Sequence, residues 1–295
     1  MRLFVETLGF GVVLASITAI GAMGFTIQFG LTNILNLSYA SIMTVTAFVA
    51  WLLQAQGINI WIGFILGGVA GAALTLLLGK TVFKVYARRQ LKLFEMVMVT
   101  LGLSIVIQYI VYVISRDQIY QFTFSPGRSV SWGPIHLTVT EVVIIALGAV
   151  IFVGLELLLR RTKLGTALRA MAADASLANS CGIPTGRIVT FTWLLSGFLC
   201  GLAGVVFVIN TMSVDYGTGS LALPLVLSAA VLGGIGSPTG AVVASLVMGT
   251  VTELVSAYGG SAYGTVAAFG VLVVVLLARP SAVLNAASNK MEMTV

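Results

Sequence analysis

Six polar residues crowd into one apolar run: Gln28, Asn33, Asn36, Ser38, Tyr39 and Ser41. Amides and hydroxyls of this kind do hydrogen-bond chemistry rather than covalent catalysis. Polar groups facing lipid are costly, so these residues must face an interior. There they either tie helices to one another or line a path. A second cluster holds Gly233, Gly234, Gly236, Ser237 and Gly240 around Pro238. So many glycines beside a proline cannot sustain a continuous helix. Irregular backbone at membrane depth is tolerated where protein buries it or a cavity bathes it. The stretch is therefore either a tight turn between two spans or a contact whose freed N–H groups and helix N-terminus meet a zwitterion.

The remaining candidates for chemistry are few. Glu253 lies inside Val-Met-Gly-Thr-Val-Thr-Glu-Leu-Val, where a buried carboxyl either relays protons or stays neutral as a structural group. Gly79-Lys80-Thr81 imitates the end of a phosphate loop, but the position needing the first glycine is Leu74 and no strand precedes it. The chain thus has no nucleotide site of its own. Cys181 and Cys200 form neither a metal spacing nor a disulfide framework. His136 stands alone in a polar stretch, and Asn36-Leu37-Ser38, though a glycosylation triplet, falls within the membrane.

A third stretch is basic and helix-forming, running from Arg160 to Arg187. Leu164, Ala167, Leu168, Met171, Ala175 and Ala178 recur at three- and four-residue steps, which makes one apolar stripe. Asp174 can cap a second short helix, Gly182 offers a stop, and Pro184 prevents continuation. The pattern predicts a helix, a turn and a short helix outside the bilayer. Two readings stand: a docking surface for a soluble partner, or an amphipathic connector touching lipid phosphates.

The elements that hold these residues are membrane spans. Hydrophobic residues make up 59% of the 295 and charged residues 8%, with a mean hydropathy of +1.09. A soluble domain carries about 25% charged residues, so this composition excludes one. A span needs about 20 apolar residues, and such runs occupy 8–29, 31–55, 58–85, 94–115, 138–159, 188–210, 220–235, 239–258 and 262–279. Asn33 and Asn36 interrupt the second, and Gly233, Gly234 and Gly236 the seventh. The expectation is an all-α polytopic membrane protein of eight to ten helices, some broken, in one domain over residues 1–295. The start reads as a retained first span rather than a cleaved signal. Gly63, Gly67 and Gly71, and separately Gly197 and Gly201, are spaced for close helix packing.

Charge sets the orientation. Lys80, Lys84, Arg88, Arg89, Lys92, Arg160, Arg161, Lys163, Arg169, Arg187, Arg279 and Lys290 fall on one side, against Arg2, Arg116 and Arg128 on the other. Positive residues favour the cytoplasm, which puts the basic loop and the C-terminus inside. The loop 116–137, with Pro126, Trp132 and Pro134, lies outside. The net charge of +6 reports topology and not nucleic-acid binding.

The run Arg161-Thr-Lys-Leu-Gly-Thr-Ala-Leu-Arg-Ala-Met-Ala-Ala-Asp174, then Ala178 and Gly182-Ile183-Pro184, resembles the cytoplasmic coupling loop of the branched-chain amino acid ABC transporter permease family. Ser196, Gly197, Gly201, Leu202, Ala203 and Gly204 look like that family's small-residue helix. Val231 through Ala241 resembles its Gly-Gly-x-Gly-Ser motif, and Gly24–Gly30 with Asn36-Leu37-Ser38 its first broken helix. The likeness runs in order over most of the chain. Tyr39, Ala40 and Ser41 depart from the family's residues after Asn36, which bears on the substrate.

The resemblance implies that Gly165, Arg169, Ala170, Asp174, Ala178 and Gly182, within a loop of about 160–187, couple to a cytoplasmic ATPase. It implies a permease subunit of an importer in a bacterial inner membrane, without a cofactor of its own; ATP and Mg belong to two ATPase partners. A second related permease or second copy, an extracytoplasmic solute-binding protein and membrane lipid complete the expected partners. The solute would be a branched-chain amino acid, moved by alternating access along Gln28, Asn33, Asn36, Ser38, Tyr39, Ser41, Gly233, Gly234, Gly236 and Ser237. The rivals are a proton-coupled transporter using Glu253 and a passive channel subunit.

Overall fold

Helix α1 (Arg2–Thr32) is the axis of the molecule. The computed structural model describes residues 2–83, 85, 93–124, 127, 129–132 and 135–278. In chain order α1 is followed by α2 (Tyr39–Ala55), α3 (Ile60–Leu78) with a π-helical turn at Gly79–Phe83, and α4 (Leu93–Ser115). Then come β1 (Tyr120–Gln121), β2 (Ser129–Trp132), β3 (Ile135–Thr138) and α5 (Val139–Arg161). The second half holds α6 (Lys163–Ala173), α7 (Ala175–Ser180), α8 (Thr185–Thr211), β4 (Ser213–Val214), α9 (Thr218–Leu232), α10 (Pro238–Gly259) and α11 (Ser261–Ala278).

Among the described residues, six helices are long and apolar enough to cross a membrane: α1, α3 with its π turn, α4, α5, α8 and α10. Most of α1 and α8 is enclosed by other helices, whereas α4 and α5 lie at the periphery with Phe94, Val113, Ile114 and Val150 exposed. Exposed apolar side chains are what lipid accepts, so this inside-out distribution suits a bilayer. α2 and α9 have 17 and 15 residues, or about 26 and 23 Å at 1.5 Å per residue, short of a hydrocarbon core about 30 Å thick.

Small residues bring the central helices together. A Cβ on Gly71 would lie 2.4 Å from Gly197 O, and one on Gly201 2.4 Å from Gly67 O. The spaced glycines of α3 and α8 therefore face each other backbone to backbone, as their spacing predicts. α1 and α10 meet the same way, with Gly11 against the Thr250 backbone and Gly249 against Ala15 N.

Two departures from the sequence expectation have local causes. The run 31–55 is not one span: Asn33 adopts φ +53 and α2 starts only at Tyr39. Asn36 Oδ1 accepts from Ser38 N at 3.1 Å and from Ser38 Oγ, a turn that competes with helix. The fold is also not purely helical. β1 pairs antiparallel with β4, and β2 with β3. The second pair leads into a capping box, in which Thr138 and Glu141 satisfy each other's backbone N–H at the start of α5. The sequence positions Lys84, Arg88, Arg89, Lys92, Pro126, Arg128, Pro134, Arg279 and Lys290, and the C-terminal tail, lie outside the described residues.

Candidate functional site

The basic loop forms two short helices, each with a side-chain cap. Thr162 Oγ1 accepts from Gly165 N at 3.1 Å and starts α6. Asp174 Oδ1 accepts from Ser176 N and Leu177 N at 2.8 and 2.9 Å and starts α7. Asp174 is thus occupied in holding the turn. Gly182 has φ +82, and the Ile183 N–H returns to Ala178 O at 3.1 Å, which closes α7 before α8 begins.

The buried face of this pair differs from the stripe read in the sequence. Leu168, Met171 and Ala178 are buried with Ile188, while Leu164 and Leu177 are exposed, and so is Ala175. The face is rotated because α6 lies on the end of α5 through Gly165. A Cβ there would fall 2.1 Å from Leu159 O. Gly165 is thereby a packing residue and Ala178 a core residue. Ala170 is half-buried, and Arg169 and Gly182 are exposed.

Leu31, in the last turn of α1, packs into the same small core. Next to it the α9–α10 connection makes a tight turn, with Gly234 at φ +88 and Gly236 at φ +92. Ser237 Oγ caps α10 by accepting from Gly240 N at 3.2 Å. Gly30 of α1 lies against this turn: a Cβ there would be 2.9 Å from Gly236 Cα. A cavity of about 260 Å³ opens among Thr26, Gly30, Leu168, Arg169, Gly236 and Thr239. A wider one of about 760 Å³ lies between the ends of α1, α3, α7 and α8, beside Lys80 and Ser176. The basic loop and the glycine-rich turn, far apart in sequence, therefore meet at one end of α1.

A polar knot lies deeper in the bundle, where α1, α2 and α8 cross. Gln28, Asn36, Ser38 and Tyr39 are all buried there. The Tyr39 hydroxyl donates to Gly21 O at 3.0 Å and lies 3.4 Å from Ser196 O. Its ring meets Phe25 edge-on at 5.7 Å. Gly24 makes room for it, since a Cβ there would be 2.5 Å from the Tyr39 hydroxyl. Ser196 Oγ donates to Gln28 Oε1 at 2.9 Å, and Cys200 Sγ to Tyr39 O at 3.4 Å.

Of the polar cluster read in the sequence, these four come together and two do not. Asn33 is exposed at the turn after α1. Ser41 bonds Ser104 on α4, with its hydroxyl 2.7 Å from Ser104 O. Sequence reasoning missed Ser196 and Cys200 as members of the knot, although a hydroxyl in the apolar run of α8 carries the same signal as Gln28 in α1. Glu253 is half-buried on α10 and makes no ion pair among the described residues. Cys181 and Cys200 are both free thiols. No group of three or more potential metal ligands occurs among the described residues.

Residues 7–277 match the family model described as branched-chain amino acid transport system / permease component. The chain is 28% identical to the high-affinity branched-chain amino acid transport system permease protein LivH of Escherichia coli (strain K12), over 96% of each chain. It is also 28% identical to the corresponding permease protein BraD of Pseudomonas aeruginosa, again over 96% of each. A more distant relative is the fructose import permease protein FruF of Bifidobacterium longum, 26% identical over 86% of this chain and 72% of that one.

Proposed function

Because the chain belongs to the family of branched-chain amino acid transport system permease components, we propose that it is the membrane-spanning subunit of an ATP-driven importer of branched-chain amino acids. It is a membrane protein with six apolar helices of spanning length among the described residues, and its relatives are transport permeases rather than enzymes. The names of the two permeases matched over 96% of the chain favour amino acids as the solute, over the sugar named for the more distant one.

One observation carries the mechanism: α6 and α7 share a core with the last turn of α1 through Leu168, Met171 and Leu31. A cytoplasmic ATPase gripping the exposed face of α6–α7, at Arg169 and Leu177, would move the end of α1, one of the two most enclosed spans among the described residues. Gly165, Asp174, Ala178 and Gly182 give that element its shape, and Ala170 supports its inner face. Alternating access follows if α1 then rocks against α8 and α10. The path runs by Gln28, Asn36, Ser38 and Tyr39. The glycine turn at Gly233, Gly234, Gly236 and Ser237 forms its inner mouth, with Asn33 at the rim and Ser41 bracing α2 to α4.

The basic side faces the bacterial cytoplasm. Two ATPases supply ATP and Mg, a second permease or a second copy completes the membrane part, and a solute-binding protein delivers solute outside. The short helices α2 and α9 and the terminal α11 would complete the membrane bundle of eight to ten helices read from the sequence.

Uptake of radiolabelled leucine into vesicles holding this chain with its genomic-neighbour ATPases and binding protein tests the reading. ATP-dependent uptake supports it. Uptake without the ATPases that follows a proton gradient would instead support coupling through Glu253, and gradient-independent leakage a passive channel.

A further inference from the structure

Two amide donors inside the bundle, Gln28 Nε2 and Asn36 Nδ2, have no hydrogen-bond partner among the described residues. Gln28 is 1% exposed and Asn36 0%. Buried donors are nearly always satisfied, and an exception calls for a cause. The orientation of the Asn36 amide is fixed by what its oxygen does. Asn36 Oδ1 accepts from the Ser38 backbone N–H, which can only donate, so Nδ2 must turn the other way. In the arrangement present, Gln28 Oε1 accepts from Ser196 Oγ and Nε2 is the free end of that amide. Both adjoin one knot, Gln28 through Ser196 and Tyr39, and Asn36 through its carbonyl, which accepts from Tyr39 N at 3.3 Å.

The electrostatics of the knot favour a negative group. Asn36 lies just before the first turn of α2, whose N-terminus carries about half a positive charge. Ser38, which precedes that helix, makes no side-chain cap to it. The nearby start of α9, where Gly219 N donates to Thr44 Oγ1 at 3.0 Å, is already answered by Asp215, whose carboxylate accepts from Thr218 Oγ1 at 2.8 Å. The start of α2 has no acidic residue hydrogen-bonded to it among the described contacts.

We propose that Gln28 and Asn36 recognise the solute by donating their amide N–H groups to its carboxylate. Tyr39 and the Ser196–Gln28 bond hold that point shut until α1 and α8 separate. The proposal rests on the importer reading and deepens it. It makes the solute class one bearing a carboxylate, and it separates this chain from a relative named for a neutral sugar.

The test uses the full complex of permease, ATPases and binding protein in vesicles, with L-leucine as probe. Gln28→Glu and Asn36→Asp turn donors into acceptors, and Gln28→Met removes the amide at similar volume. Each variant is assayed for leucine uptake and for co-purification of the ATPases. The expected result is a loss of uptake of about tenfold or more, the scale of one charge-assisted hydrogen bond, with co-purification of the ATPases unchanged. Uptake within about twofold of wild type in Gln28→Met and Asn36→Asp overturns the proposal. So does a loss of ATPase co-purification in all three variants, which assigns the residues to packing. A wild-type complex that imports no leucine overturns the importer reading instead, and is recognised before any variant is compared.

Discussion

Ser196 Oγ donates to Gln28 Oε1 at 2.9 Å across the α1–α8 interface, with both side chains buried. Interhelical bonds of this type contribute about 0.6 kcal/mol on average in membrane proteins and at most about 2. Ser196→Ala is expected to lower stability by that amount, and Gln28→Met to add little more once Ser196 is gone. Thermal unfolding of the purified complex in a double-mutant cycle measures the coupling.

Gly165→Ala is expected to push α6 off the end of α5, because the new Cβ would fall 2.1 Å from Leu159 O, a backbone atom that cannot rotate away. Arg169→Glu changes an exposed charge and leaves the fold intact. Co-purification of the ATPases should be lost in the first variant and weakened about tenfold in the second. Unchanged co-purification in both would remove α6 from the docking surface.

Asp174→Ala removes the acceptor for two backbone N–H groups at the start of α7. The expected cost is about 1 kcal/mol of local stability. Asp174→Asn, also a good cap, should restore most of it. Hydrogen exchange at Ser176 and Leu177 reads this directly, and equal protection in the Ala variant would contradict the assignment.

Cys181 is exposed and Cys200 fully buried beneath Tyr39. A maleimide should label Cys181 at least about tenfold faster in the resting complex, following thiol exposure. Trapping the ATPases with ATP and vanadate should speed labelling of Cys200 in a Cys181→Ser background, if α1 and α8 part during the cycle. Mass spectrometry of the labelled chain decides; a Cys200 rate that never changes counts against motion at this interface.

Hydropathy located the apolar helices well because a span must be about 20 apolar residues whatever its neighbours. The caps at Asp174 and Gly182 were legible for a similar reason: each acts on backbone within five residues. Pairings across the chain were not. Ser196 lies 168 residues from Gln28, and nothing local in α8 names its partner. The inward face of α6 was misread for the same cause. Leu164 and Gly165 are adjacent, and only the path of α5 decides that the glycine goes inward. The pairing of Tyr120 with Val214 likewise joins two short segments whose strand character arises only on contact.

Gln28 in the knot and Leu31 in the core of α6 and α7 stand three residues apart on one helix, about 4.5 Å along its axis. Solute bound at the knot and an ATPase bound at α6–α7, as proposed above, would share a linkage free energy through this rigid element. Whatever factor an ATPase state applies to affinity at the knot, occupation of the knot must apply to affinity for that ATPase state. A chain built this way would report its cargo to the cytosol as a change in nucleotide affinity, with no separate sensor.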